Sequence, residues 1–152
     1  MGDIENEVIA IIKRLAKTIS KVGIKKVVAA LDELNSEEGF IEAHKSLIKY
    51  IKKESAMHFK INPIDLEKRN IRGSIVEARS MCFILIKKHL DYSHKDIAGL
   101  FGSKNHSLVS NALKIFNNLD YDVRQDRKFI EVFQEMDKKT ESRKSVVWLK
   151  YS

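Results

Sequence analysis

Three observations predict an all-α protein: a multi-helix domain with a helical hairpin before it and a helix after it. Apolar residues recur at three- and four-residue steps along most of the chain. Glycine (6) and proline (1) are too scarce for the turns of an all-β chain. Hydrophobic residues at 43% and charged residues at 32% suit 152 residues that bury a core of their own.

The elements follow in order. Ile4, Val8, Ile11, Ile12, Leu15 and Ile19 make one face of an amphipathic first helix, which Gly23 punctuates. Ile24, Val27, Val28, Leu31 and Leu34 stripe a second, shorter helix ending near Asn35. Residues 1–38 read as an acidic helical hairpin, with Asn35-Ser36-Glu37-Glu38-Gly39 as the joint. Two short helices cannot bury both stripes alone, so the hairpin packs either on the rest of the chain or on another chain, a homodimer included. A third helix is expected over 40–58, with Phe40, Ile41, Leu47, Ile48, Ile51 and Met57 inward. Asn62 before Pro63 is an N-cap with proline at the first helical position, opening one short turn.

The basic stretch Lys68-Arg69-Asn70-Ile71-Arg72-Gly73 has too little apolar content for core. Ser74, with Glu77 three residues on, makes a capping box for a helix through about His89. That helix carries Ile75, Ala78, Met81, Cys82, Leu85 and Ile86 and is expected to be central. Cys82 is the single cysteine, which excludes an intramolecular disulfide and reads as a buried, reduced thiol.

Ser93-His94-Lys95-Asp96 is a second capping box, opening a short helix with Ile97, Ala98, Leu100 and Phe101 that stops at Gly102. Asn105 is expected to cap a further helix over 106–116. A short helix, a tight glycine turn and a second amphipathic helix make a helix-turn-helix. Leu108, Val109, Ala112, Leu113 and Phe116 would face inward. His106, Ser107, Ser110, Asn111 and Lys114 would face outward, and all but the lysine are short polar groups suited to base edges. A last helix is expected over 123–139, with Phe129, Ile130, Val132, Phe133 and Met136 inward. After the polar stretch 140–145, the apolar tail Val146–Tyr151 either packs over the core or docks on a partner through Trp148. The expected division is 1–38, 39–119 and 120–152.

Charge is unevenly spread. Residues 1–43 hold 6 Lys/Arg against 8 Asp/Glu, residues 44–119 hold 14 against 6, and residues 120–152 hold 8 against 7. The net charge of +7 therefore comes from the middle of the chain, where it reaches +8. So concentrated a field favours a polyanion through steering and counterion release. No stretch approaches a membrane span and the acidic start is no signal peptide, so a soluble, cytoplasmic, nucleoid-associated protein is expected. No phosphate-binding Gly-x-x-x-x-Gly-Lys-(Ser/Thr) loop, Gly-x-Ser-x-Gly elbow or His-Glu-x-x-His box occurs. His89, Asp91 and His94 lie close together, but a loop between helices gives them poor ligand geometry. No enzyme activity, cofactor or metal is expected.

The run Phe101-Gly102-Ser103-Lys104-Asn105-His106-Ser107-Leu108-Val109 resembles the Phe-Gly-Gly-Arg-Asp-His-Thr-Thr-Val type signature of the C-terminal DNA-binding domain of the bacterial replication initiator DnaA. His58-Phe59-Lys60-Ile61, Asp65-Leu66, Lys68-Arg69 and Ala78-Arg79 extend the resemblance upstream, over roughly residues 44–119. The resemblance implies that Asn105, His106 and Ser107 read bases in the major groove, with Ser110 and Asn111 on the same outward face. It also implies that Lys104 touches phosphate, that Arg79 and Lys87 are cationic contacts, and that Arg69 and Arg72 belong to a loop entering the minor groove. The sequence departs from the pattern in three places. Asn105 stands for the usual Asp and, as an amide, could bond adenine bidentately. Leu108 stands for a base-reading Thr, and is open either to a thymine methyl or to the core. Ile71 falls where the loop arginine is expected, with Arg72 one residue away.

Together these features lead to an expectation of a double-stranded DNA-binding regulator or accessory factor of replication or transcription, encoded by a cell, phage or mobile element, acting by occupancy without an ATPase. The rival expectation is a protein-interaction adaptor that keeps the fold and modulates a replication initiator or another partner.

Overall fold

A computed structural model of the chain describes residues 2–34, 37–69 and 73–150, with side chains described over 5–21, 23–29, 39–69 and 73–147. These residues form seven α-helices and one 3₁₀ turn, without a strand among them. The helices are α1 (Gly2–Val22), α2 (Ile24–Leu34), α3 (Glu37–His58), α4 (Gly73–Leu90), α5 (His94–Gly99), α6 (Ser107–Asn117) and α7 (Arg124–Lys150). The 3₁₀ turn, Pro63–Glu67, lies between α3 and α4. None of the described helices is long and apolar enough to cross a membrane. The chain divides into two compact units, Met1–Ala43 with Val146–Ser152, and His44–Ser145.

In the first unit, α1 and α2 are joined through Gly23, whose φ of +85° is a backbone conformation open to glycine. Val27 and Ala43 are buried, and so is Val147 of the tail. Trp148 and Tyr151, and residues 35 and 36 of the expected joint, lie outside the described residues or side chains.

The second unit is built around α4. Its Met81, Cys82, Leu85 and Ile86 are fully buried with Leu47 and Ile51 of α3, Leu66 of the 3₁₀ turn, Ile97 of α5, Val109 of α6 and Met136 of α7. Ser55 and Cys82, polar groups within this core, are satisfied or inert. Ser55 donates its hydroxyl to the Ala78 carbonyl at 2.8 Å. Burial pushes the Cys82 thiol up to about 12, so it stays protonated and unreactive. Phe116 meets Phe133 and Phe129 at 4.7 and 6.2 Å between ring centroids, and Phe59 meets Phe129 at 6.3 Å. This aromatic cluster seats α7. The other end of that seat is polar: His89 lies between Asp137 (2.8 Å) and Glu141 (3.3 Å), and Lys88 reaches Asp137 at 2.6 Å.

Several expectations need correction. Phe40, Ile41 and Met57 are exposed, because the inward stripe of α3 runs through Leu47, Ile48 and Ile51. Helix α4 begins at Gly73, so Ser74 is inside its first turn instead of capping it. Helix α7 does not stop at 139. Residues 140–145 contain no helix breaker, and buried Thr140 satisfies its hydroxyl by donating to the Met136 carbonyl at 2.7 Å. The Asn62 cap is as expected, with its side chain accepting from the Ile64 N–H at 3.2 Å.

One buried histidine gives the fold a pH dependence. The His44 Nδ1 and the Tyr92 hydroxyl lie 2.7 Å apart. Burial, assisted by the Lys144 ammonium, holds His44 below the ordinary histidine value. The unfolded chain therefore takes up a proton that the folded chain refuses, and stability drops as pH falls below about 6.5. Chemical denaturation between pH 7.5 and about 5 should show this fall. His44→Gln, which cannot titrate, should show a shallower one.

Candidate nucleic-acid interface

The helix-turn-helix is assembled from three local devices. Ser93 caps α5 by accepting from the Asp96 N–H at 3.1 Å. The Gly102 N–H then reaches the Gly99 carbonyl, and the Ser103 N–H the Ala98 carbonyl, both at 3.1 Å. That pair of bonds closes a helix through a left-handed residue, here Gly102 at φ +70°. Two side-chain turns follow: Ser103 Oγ accepts from the Asn105 N–H (3.1 Å) and Asn105 Oδ1 from the Ser107 N–H (3.0 Å). Asn105 thus satisfies the start of α6 from one position before its cap. His106 holds the cap position without a side-chain bond of its own. Asn105 Oδ1 already accepts one hydrogen bond, and the side chain is exposed.

Val109 and Ala112 bury α6 against the core. Leu108, open by sequence to the core or to a thymine methyl, is 42% exposed and lines a groove beside the turn. His106, Ser107, Asn111, Lys104 and Lys114 are exposed. Ser110 was expected among them but turns towards α5: its hydroxyl lies 2.8 Å from His94 Nδ1 and 3.4 Å from the His106 carbonyl. It fastens the two helices to each other.

The groove, about 730 Å³, brings the 3₁₀ turn and its basic extension together with the helix-turn-helix. Its lining includes Lys68 and Arg69 of the basic extension, Arg79 and Phe83 of α4, and Lys104, Asn105 and Leu108 of the helix-turn-helix, with Glu67 among them. Arg79 does not simply project a charge. Its guanidinium donates to the Leu66 carbonyl from Nε at 2.9 Å and to the Lys68 carbonyl from Nη2, which fixes the path of the basic segment. Burial lowers its pKa from the ordinary arginine value. Lys87 lies outside the groove lining; it bonds the Tyr92 carbonyl and pairs with Asp91, both at 3.2 Å, and so braces the loop before α5. Arg69 is exposed at the groove, whereas Arg72 lies outside the described residues.

A lysine that no local sequence pattern singles out links the segments that line the groove. Lys52 of α3 donates to the Leu100 carbonyl at 2.7 Å, pairs with Glu67 at 3.1 Å and stands 4.5 Å over the Phe101 ring. Phe101 in turn meets Phe83 edge-on at 5.0 Å. Among the described residues, no cluster of His, Cys, Asp or Glu is arranged to hold a metal ion.

Comparison with known proteins matches this part of the chain. Residues 48–115 fit the family described as the bacterial DnaA protein helix-turn-helix. The chain is 39% identical over 87 residues to the chromosomal replication initiator protein DnaA of Bdellovibrio bacteriovorus, covering 55% of this chain and 18% of that protein. It is 29% identical over 127 residues to that of Nautilia profundicola (84% and 28%), and 32% identical over 109 residues to that of Buchnera aphidicola (64% and 25%). The chain thus matches between 18% and 28% of the length of these relatives. No solved structure matches it.

The glycine turn can be tested directly. An added Cβ at Gly102 would meet nothing within 4 Å, so the cost of Gly102→Ala is that of the left-handed backbone alone. Thermal or denaturant unfolding should show a loss of about 1–2 kcal/mol. No loss would mean that the turn adopts another conformation.

Proposed function

We propose that this chain binds double-stranded DNA at a specific site through its helix-turn-helix, as a replication or transcription factor that acts by occupancy and has no ATPase of its own. The observation that carries this reading is the exposed polar start of α6, set beside a groove lined by both Arg69 and Lys104. The match of residues 48–115 to the DnaA helix-turn-helix supports the same reading, and so does the +8 concentrated in residues 44–119.

In this reading α6 enters the major groove. His106, Ser107 and Asn111 face base edges, and the Asn105 NH₂ donates to a base acceptor or a phosphate oxygen. Lys104 and Arg69 neutralise phosphates or line the minor groove. Arg79, Lys87 and Ser110 act one step back, holding the loops and helices that carry those contacts. Leu108 offers an alkyl surface to a thymine methyl.

Two sets of substitutions separate the roles. A target selected from random duplexes gives the reference affinity. Lys104→Ala should weaken target and random duplex alike and reduce the log–log salt slope by about 0.9. Asn105→Ala and His106→Ala should each reduce the preference for the target by about 1–3 kcal/mol, with little change in salt slope. If titrations by fluorescence anisotropy show no preference to lose, the site-specific reading fails. If no duplex binds at low salt, DNA binding itself fails.

A further inference from the structure

The groove beside the helix-turn-helix carries a carboxylate among its cations. Among the described residues that line it, Glu67 is the one acid, against Lys68, Arg69, Arg79 and Lys104. Its side chain is 55% exposed, so its charge is open to whatever enters the groove.

The 3₁₀ turn holds two acids, and each is met by a different cation. Lys68 pairs with Asp65 at 2.7 Å, three residues back along the chain. Glu67 is met from α3, by the Lys52 ammonium at 3.1 Å. Lys52 is itself fixed: it donates to the Leu100 carbonyl at 2.7 Å and stands 4.5 Å over the Phe101 ring, with its side chain only 20% exposed. A lysine on an open surface gives up much of its rotamer freedom to make an ion pair and gains little by it. This one is held by two contacts that do not involve Glu67, so keeping it beside the carboxylate costs little further ordering.

We propose that Lys52 governs how well the groove accepts DNA by acting through Glu67: it compensates the carboxylate and keeps it from opposing the phosphates. Lys52 is thus a positioning residue that itself touches no DNA. The inference deepens the DNA-binding reading and rests on it. Like charges brought together at an interface cost affinity. Glu67 immediately precedes Lys68 and Arg69, so it approaches the duplex together with them. Every duplex carries phosphates, so the effect belongs to affinity and not to the choice of sequence.

A double-mutant cycle, read by fluorescence anisotropy on target and random duplexes, tests this. Lys52→Met should weaken both by about thirtyfold at low salt, and adding Glu67→Gln should recover about tenfold of that loss. In the wild-type chain Glu67→Gln should tighten binding by only about twofold, because the carboxylate is already compensated. Lys53→Met removes the same charge from an exposed neighbour on α3. It should cost less than about threefold, and Glu67→Gln should add to it only what it adds to the wild type. A purely structural role for Lys52 would leave Lys52→Met beyond rescue by Glu67→Gln and would overturn the proposal. Should Lys52→Met fail to fold, Glu67→Asp carries the test with Lys52 in place. One methylene shorter, it keeps the charge and draws it off the ammonium, so binding should weaken where Glu67→Gln tightens it. An equal gain from Glu67→Gln with and without Lys52 would overturn the proposal, as would Glu67→Asp binding as tightly as Glu67→Gln. If the wild-type chain binds no duplex, the DNA-binding reading fails and this inference with it. If it binds and the cycle is additive, this inference alone fails.

Discussion

The Lys52 ammonium sits where three constraints meet: a helix-end carbonyl at Leu100, a carboxylate at Glu67 and the face of Phe101. Each contact alone is modest. Together they tie α3 to two segments that line the groove, the turn after α5 and the 3₁₀ turn. An exposed ion pair would contribute little to such a link. Here the lysine is mostly covered and its donors are shared between a carbonyl and a carboxylate, so it can act as a strut. The positions of Lys104, Asn105 and Arg69 depend on that strut, although Lys52 itself need touch no ligand.

A similar division of labour runs through the rest of the surface. Arg79 uses its guanidinium to hold the backbone of the 3₁₀ segment, Lys87 to brace the loop before α5, and Ser110 to join α5 with α6 through His94. Cationic and polar side chains that look alike in a sequence thus separate into those facing outward and those that set their positions. The outward group sits on the first turns of α6 and on the short segments beside it, whose placement the inner group sets.

What the sequence made legible, and what it hid, follows from the range of the forces involved. The caps at Asn62 and Ser93, the glycine at 102 and the apolar stripe of α4 act within a few residues, and each leaves a local pattern. Lys52 acts on residues 15 and 48 positions away, and nothing in its neighbourhood distinguishes it from Lys49 or Lys53. Arg79 lies in a basic context that suggests an anionic ligand, and only the fold shows carbonyls within its reach. The polar stretch 140–145 of α7 resembles a loop by composition, yet it holds no proline or glycine to break the helix, and Thr140 bonds back to the Met136 carbonyl. Leu108, being apolar, fits either the core or a ligand by pattern alone, and only its position on α6 carries it to the groove.

That outward leucine affects how errors would be tolerated. A hydrogen-bonding side chain rejects a wrong partner sharply, because the mismatch strands a desolvated donor or acceptor. An alkyl group has no such sharp penalty: the wrong neighbour merely offers less surface to cover. In a DNA complex, the base pair beside Leu108 would therefore be a graded preference, so that related sites are ranked by degree of fit instead of being accepted or refused.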